Sequence, residues 1–198
     1  MPSRSITFVL SFLLSGAALA AAPQELCFNC HGKDGASADS SVPVIAGISA
    51  ATLTDQIKTY REAQRPCPET AYLAGDKKGT KTTMCAIAKS LSVDEAAAVA
   101  TFFAGKKFVR PPQTPNAALA AKGKEIHATY CEKCHSEGGS AADDDASILA
   151  GQWMPYLTAQ FRDFRSGARP PNAKMKVKLD QLQPADFDAL VNYYGNFK

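Results

Sequence analysis

Two short runs hold the residues best suited to bind a redox cofactor covalently. Cys27-Phe28-Asn29-Cys30-His31 and Cys131-Glu132-Lys133-Cys134-His135 each place two thiols three positions apart, with a histidine directly after the second. C-x-x-C-H is the attachment sequence of a c-type haem. Thiols a helical turn apart can form thioethers to the two haem vinyl groups, which sets the next imidazole beneath the iron as proximal ligand. Cys27, Cys30, Cys131 and Cys134 are therefore expected to attach two haem c groups covalently, with His31 and His135 as iron ligands. A redox C-x-x-C pair belongs with a βαβ pattern, which the sequence does not show. Structural zinc needs four ligands at compatible spacing in each run.

The two runs belong to a longer repeat. An offset of 104 residues, from Cys27 to Cys131, also carries Ala46-Gly47 onto Ala150-Gly151, Gln56 onto Gln160, Arg61 onto Arg165 and Arg65-Pro66 onto Arg169-Pro170. Past that point the offset falls to 91, so the first copy holds about 13 extra residues, roughly Cys67 to Gly79. In the new register Met84 falls on Met175, Leu91 on Leu182 and Phe102-Phe103 on Tyr193-Tyr194. Met84 and Met175 are thus the candidate second axial ligands, against the plainer role of core filler. A closed His/Met shell raises the potential and suits electron transfer rather than substrate binding.

The remaining cysteines, Cys67 and Cys85, both lie in the first copy. In an oxidising compartment a disulfide is the plain expectation, which would tie down the loop that carries Met84. Iron ligation by the Cys85 thiolate in place of Met84, free thiols and copper binding are the alternatives. His127 is expected to be a partly exposed helix residue. Asp143-Asp144-Asp145 reads as a solvated loop or as a docking patch for a basic partner. Trp153 and Tyr156 are expected beside the second haem or on a partner surface.

The elements that must position these groups read as helices. Leu53, Ile57 and Tyr60 recur at helical spacing, as do Leu157, Phe161 and Phe164. Ser92-Val93-Asp94-Glu95 and Gln183-Pro184-Ala185-Asp186 are helix starts, and Ala117 to Tyr130 is a further helix. The expected class is all-α: two tandem class I cytochrome c domains, residues 21–108 and 116–198, joined by a proline-rich linker at 109–115. Residues 1–20 read as a cleaved secretory signal, with an apolar stretch too short for a membrane span. This implies a periplasmic protein without a membrane span. The composition agrees with a globular chain: 198 residues, 45% hydrophobic and 21% charged. A net charge of +3, from 22 basic and 19 acidic residues, argues against a dedicated nucleic-acid binder.

The two-copy plan resembles cytochromes c of the c4 type. The second copy is similar to the diheme subunit of flavocytochrome c sulfide dehydrogenase, over about Lys122 to Leu179. The likeness lies in Tyr130 through His135, Glu137-Gly138-Gly139, the acidic run, Ile148 through Trp153, Pro155-Tyr156-Leu157, Asp163-Phe164-Arg165 and Lys174-Met175. The insertion with Cys67 and Cys85 departs from that pattern. The resemblance implies an electron-transfer subunit rather than an enzyme in itself. Its partner would be an FAD-binding sulfide dehydrogenase subunit, and its acceptor a small soluble cytochrome c. No G-x-G-x-x-G run is present, so the FAD would sit on another chain. A free-standing c4-like carrier to a terminal oxidase is the alternative, and a diheme enzyme acting on a peroxide or a sulfur oxyanion is a third reading.

Overall fold

The computed structural model describes residues 22–198; the expected export signal lies outside the described residues. The first half runs α1 (Glu25–His31), α2 (Ala50–Arg61), a short antiparallel pair β1 (Thr70–Ala71) and β2 (Lys81–Thr82), α3 (Met84–Ser90) and α4 (Val93–Ala104). The second runs α5 (Ala117–Tyr130), the single turn α6 (Ser136–Gly139), a 3-10 turn at Ala142–Asp144, α7 (Met154–Ser166), α8 (Ala173–Leu179) and α9 (Pro184–Gly195). Residues 107–116 between the halves carry neither helix nor strand.

The helices begin where the sequence supplies caps. The Ser92 hydroxyl accepts from the Glu95 N–H at 3.1 Å while the Glu95 carboxylate accepts from the Ser92 N–H at 2.7 Å. Two otherwise orphaned donors at the start of α4 are thereby satisfied reciprocally. Asn116 caps α5 by accepting from the Leu119 N–H at 3.0 Å. At α9, Pro184 fills the first position, where its missing N–H costs nothing, and Asp186 accepts from the Gln183 N–H at 2.9 Å.

One element departs from the all-α expectation. The 13-residue insertion and the residues just after it fold as a hairpin, with Thr70 opposite Thr82 and Ala71 opposite Lys81. Its tip, residues 74–80, is exposed, but the chain entering it rests on the first thiol motif. The N–H groups of Leu73 and Ala74 both donate to the Asn29 carbonyl, at 2.8 and 3.2 Å. A disulfide between Cys67 and Cys85, with Cα atoms 5.8 Å apart, closes its base.

Each half buries its own apolar cluster. Leu53 of α2 meets Leu91 and the Ala96, Val99, Ala100 and Phe103 stripe of α4 in the first. Ile126 of α5 and Leu157 and Phe161 of α7 meet Phe187, Leu190, Val191 and Tyr194 of α9 in the second. The repeat is visible in backbone hydrogen bonds. The Gly35 carbonyl accepts from Ile45 and Ala46, and the Gly139 carbonyl accepts from Leu149 and Ala150. The Gly47 N–H donates to Phe103, and the Gly151 N–H donates to Tyr194. Gly47 and Gly151 have φ of 70° and 80°, a left-handed conformation that favours glycine at this turn. The halves also interlock: Ile148 of the second packs into the cluster of the first, and the Trp153 indole N–H donates to the Ser37 carbonyl at 3.1 Å.

Candidate functional site

One cavity, of about 1470 Å³, runs through both halves. Cys27, Cys30, His31 and Met84 line it on one side of the junction, and Cys131, Cys134, His135 and Met175 on the other. A pocket for one drug-sized ligand spans roughly 300–1,000 Å³. The volume here suits two bulky groups better than one.

His31 ends α1 and is 6% exposed, with Nδ1 at 2.9 Å from the Pro43 carbonyl. That bond orients the ring and leaves Nε2 as the free nitrogen, the arrangement that makes a metal-binding imidazole. Burial pushes its pKa down, against a smaller opposing effect of the Pro43 carbonyl, so the neutral ring is favoured. His135 stands at the N-cap of α6, and its Nδ1 is buried without a hydrogen bond of normal geometry. Its pKa is also lowered by burial, although the Ser147 backbone, repeat-equivalent to Pro43, weakly favours the protonated ring.

Burial favours the protonated thiol at Cys27, Cys30 and Cys131. Burial, with Cys30 beside it, pushes the Cys27 thiol up to about 12, and burial also raises Cys30 and Cys131. Reactive redox cysteines have the opposite character, a depressed pKa in an electropositive setting. Met84 and Met175 each lie in the first turn of a short helix, but at different positions. Met84 follows the N-cap Thr83 directly, whereas Met175 is the third residue after the N-cap Asn172, to which its own N–H donates at 2.8 Å.

Two expectations need correction. His127 is 1% exposed rather than partly exposed. It shares the buried face of α5 with Ala120, Gly123 and Ile126, and both ring nitrogens are engaged, Nδ1 with the Tyr194 hydroxyl at 2.9 Å and Nε2 with Glu132 at 2.6 Å. The helical spacing from Ala120 through Gly123 to His127 was the available signal. Trp153 does not line the cavity but spans the two halves through Ser37, whereas Tyr156 does line it. Within the acidic run, Asp144 accepts from the Ser136 N–H at 2.6 Å and its hydroxyl at 2.8 Å, which secures the turn just after His135.

Residues 118–193 match the family described as cytochrome c oxidase, cbb3-type, subunit III. The chain is 27% identical over 170 residues to the thiosulfate dehydrogenase electron acceptor of Thiomonas intermedia, covering 80% of this chain and 72% of that protein. It is 28% identical over 203 residues to cytochrome c4 of Pseudomonas aeruginosa, covering 95% of this chain and 93% of the relative. The structure of reduced recombinant cytochrome c4 from Pseudomonas stutzeri superposes with a TM-score of 0.70 at 26% identity, over 92% of this chain and all of that one. The chain belongs to the cytochrome c4-like family of diheme cytochromes c.

This c4-like cytochrome is an electron carrier with covalently bound haem c. The residues present fit that group. Paired thiols, an imidazole and a thioether border the cavity in each half, and at His31 the Pro43 carbonyl takes Nδ1 and leaves Nε2 for a metal. When bound, haem supplies one-electron chemistry at iron. No helix among the described residues is long and apolar enough to cross a membrane.

Proposed function

We propose that this chain carries two haem c groups, one in each half, and passes electrons between an oxidoreductase and a small soluble cytochrome c in the periplasm. Cys27 and Cys30 would attach the first group and Cys131 and Cys134 the second. His31 with Met84, and His135 with Met175, would hold the two irons. Residues 21–108 and 116–198 would be the haem domains, 109–115 their linker and 1–20 the export signal. The observation that carries this reading is the single cavity bordered by both C-x-x-C-H motifs and both repeat-related methionines.

The donor we favour is the FAD-binding subunit of a sulfide dehydrogenase, on the resemblance of the second half to the cytochrome subunit of that complex. A second donor is favoured by two relatives that are named thiosulfate dehydrogenase electron acceptors. A free-standing c4-like carrier is consistent with the same cavity. Native purification decides among them. Haem and flavin are read together in one absorption spectrum, and the purified chain is then mixed with each candidate donor and its sulfur substrate. Two haems per chain with a co-purifying flavoprotein, reduced by sulfide, is the expected result. Reduction through thiosulfate dehydrogenase without flavin would move the protein to the second donor, and fewer than two haems per chain would overturn the two-haem reading.

A further inference from the structure

Where the two halves meet, the cavity wall carries two guanidinium groups without a carboxylate partner. Arg65 follows α2 and Arg169 follows α7, at equivalent places in the repeat, and Arg65 is only 5% exposed. They share acceptors crosswise. Arg65 donates to Gln56 of its own half and to Gln160 of the other, the latter at 2.6 Å. Arg169 donates to Gln160 of its own half at 2.6 Å and to Gln56 of the other at 2.9 Å. Arg65 lies 4.2 Å over the Tyr60 ring, and Arg169 lies 4.4 Å over the ring of Phe164, which is repeat-equivalent to Tyr60. The junction is thus a local two-fold arrangement built from the repeat itself.

The cluster is short of negative charge. A guanidinium has five N–H donors, and the bonds above, with one more to the Tyr156 hydroxyl at 3.4 Å, leave donors spare on both arginines. Among the described residues no Asp or Glu forms an ion pair with Arg65 or Arg169. The Oδ1 atom of Asp163, the carboxylate in their surroundings, is taken by Arg162 at 2.9 Å. Burial, and then the neighbouring charge of Arg65, lower the pKa of Arg169, whereas at Arg65 burial is outweighed by Tyr156, Tyr60 and Asp163 and the pKa is raised. Arginine nonetheless stays charged in proteins, and buried charges are paired or they are costly. Two like charges held side by side inside a cavity call for anions within that cavity.

We propose that Arg65 and Arg169, cross-linked by Gln56 and Gln160, bind the propionate carboxylates of both haem groups at the junction of the halves. This rests on the two-haem reading. Each haem carries carboxylates that thioether attachment leaves free, and a guanidinium matches a carboxylate with two parallel hydrogen bonds. The clamp has an electrical consequence. Positive charge near an iron favours its reduced form, so the pair raises the potential of the haem it serves. Sharing two glutamines makes each haem sensitive to the arginine of the other half.

The test uses the full haem-loaded chain. Arg65→Gln and Arg169→Gln are titrated for both midpoint potentials, with haem per chain counted first. At least one potential is expected to fall by about tenfold in the reduction equilibrium, about 59 mV for a one-electron couple. Arg65→Lys and Arg169→Lys keep the charge and are expected to recover most of that shift. If both glutamine variants retain two haems and neither potential moves by as much as about twofold, roughly 18 mV on the same scale, the pair is only a tether between the halves and the proposal is overturned. That result differs from a wild-type haem count below two, which defeats the underlying reading instead. Should the glutamine variants not accumulate, an experimental structure of the haem-loaded wild type decides. A haem carboxylate within about 4 Å of each guanidinium supports the clamp, and none within that distance overturns it.

Discussion

The side-chain amide of Gln152 bonds both backbone groups of Val44, a residue of the other half. Its Oε1 accepts from the Val44 N–H at 3.0 Å, and its Nε2 donates to the Val44 carbonyl at 2.8 Å. Both residues are buried, Gln152 at 2% and Val44 at 1% exposure. The amide replaces a neighbouring strand, so the junction has a polar lock inside an apolar contact. Gln152→Leu would leave both backbone groups buried without their partner. Each such group costs about 1–3 kcal/mol, so a loss of about 2–6 kcal/mol is expected in denaturant unfolding. A loss below about 0.5 kcal/mol would show that the lock contributes little.

Gly123 sets how closely α5 and α9 cross. A Cβ there would fall within the contact distance of the Ala189 carbonyl and of the Tyr193 Cβ. The first obstacle is backbone, so the helices themselves must separate. Gly123→Ala is expected to destabilise the protein by about 1–3 kcal/mol despite alanine's better helix propensity. Thermal unfolding checks the sign, and a stabilised variant would contradict this packing.

The Cys67–Cys85 bridge closes a loop over 18 positions. Replacing both cysteines by serine is expected to cost about 3 kcal/mol, the chain-entropy value for a loop of about that length. With haem attached at the other four cysteines, denatured protein should titrate no free thiol. Two free thiols would show that the bridge does not form.

Glu132 is the pH-sensitive partner of His127. The hydrogen bond from His127 holds its carboxyl below the ordinary value of 4.5, with backbone N–H groups of Gly138 and Glu137 adding to the effect. A carboxyl depressed by folding stabilises the protein above its ordinary pKa, and that contribution is lost as pH falls through the folded value. Glu132 is 46% exposed at its side chain, so solvent screening keeps the effect small. Glu132→Gln should be less stable than wild type by about 0.5–1 kcal/mol at neutral pH. The two proteins should converge as pH falls below the ordinary value of 4.5 and through the depressed folded value. Unfolding midpoints across that range test it, and a gap that persists in acid would assign the effect to shape rather than charge.

Replacing a methionine tests the proposed iron ligation directly. Met175→Ala is expected to remove one haem's share of the long-wavelength ferric absorption of Met-ligated haem and to lower that potential, because a thioether ligand favours the reduced iron. Met84→Ala should do the same for the other haem. An unchanged spectrum in either variant would return that methionine to the role of core filler.

The sequence alone carried the local and the repeated. Two C-x-x-C-H runs at one offset, a matched pair of methionines, the Ser92–Glu95 cap and the helix from Ala117 to Tyr130 were all legible, because cap chemistry and helical periodicity act over a few residues. The repeat also named Arg65, Arg169, Gln56 and Gln160 as equivalent positions, though not as neighbours. Only the tertiary structure decided that these four meet across the junction, that Ile148 enters the first half's core and that Trp153 reaches Ser37. It also turned the insertion onto Asn29 and sealed His127 between Tyr194 and Glu132. The contacts across the junction join residues about a hundred positions apart and depend on how two folded surfaces fit. Periodicity reports which face of a helix is buried, but not what arrives to cover it.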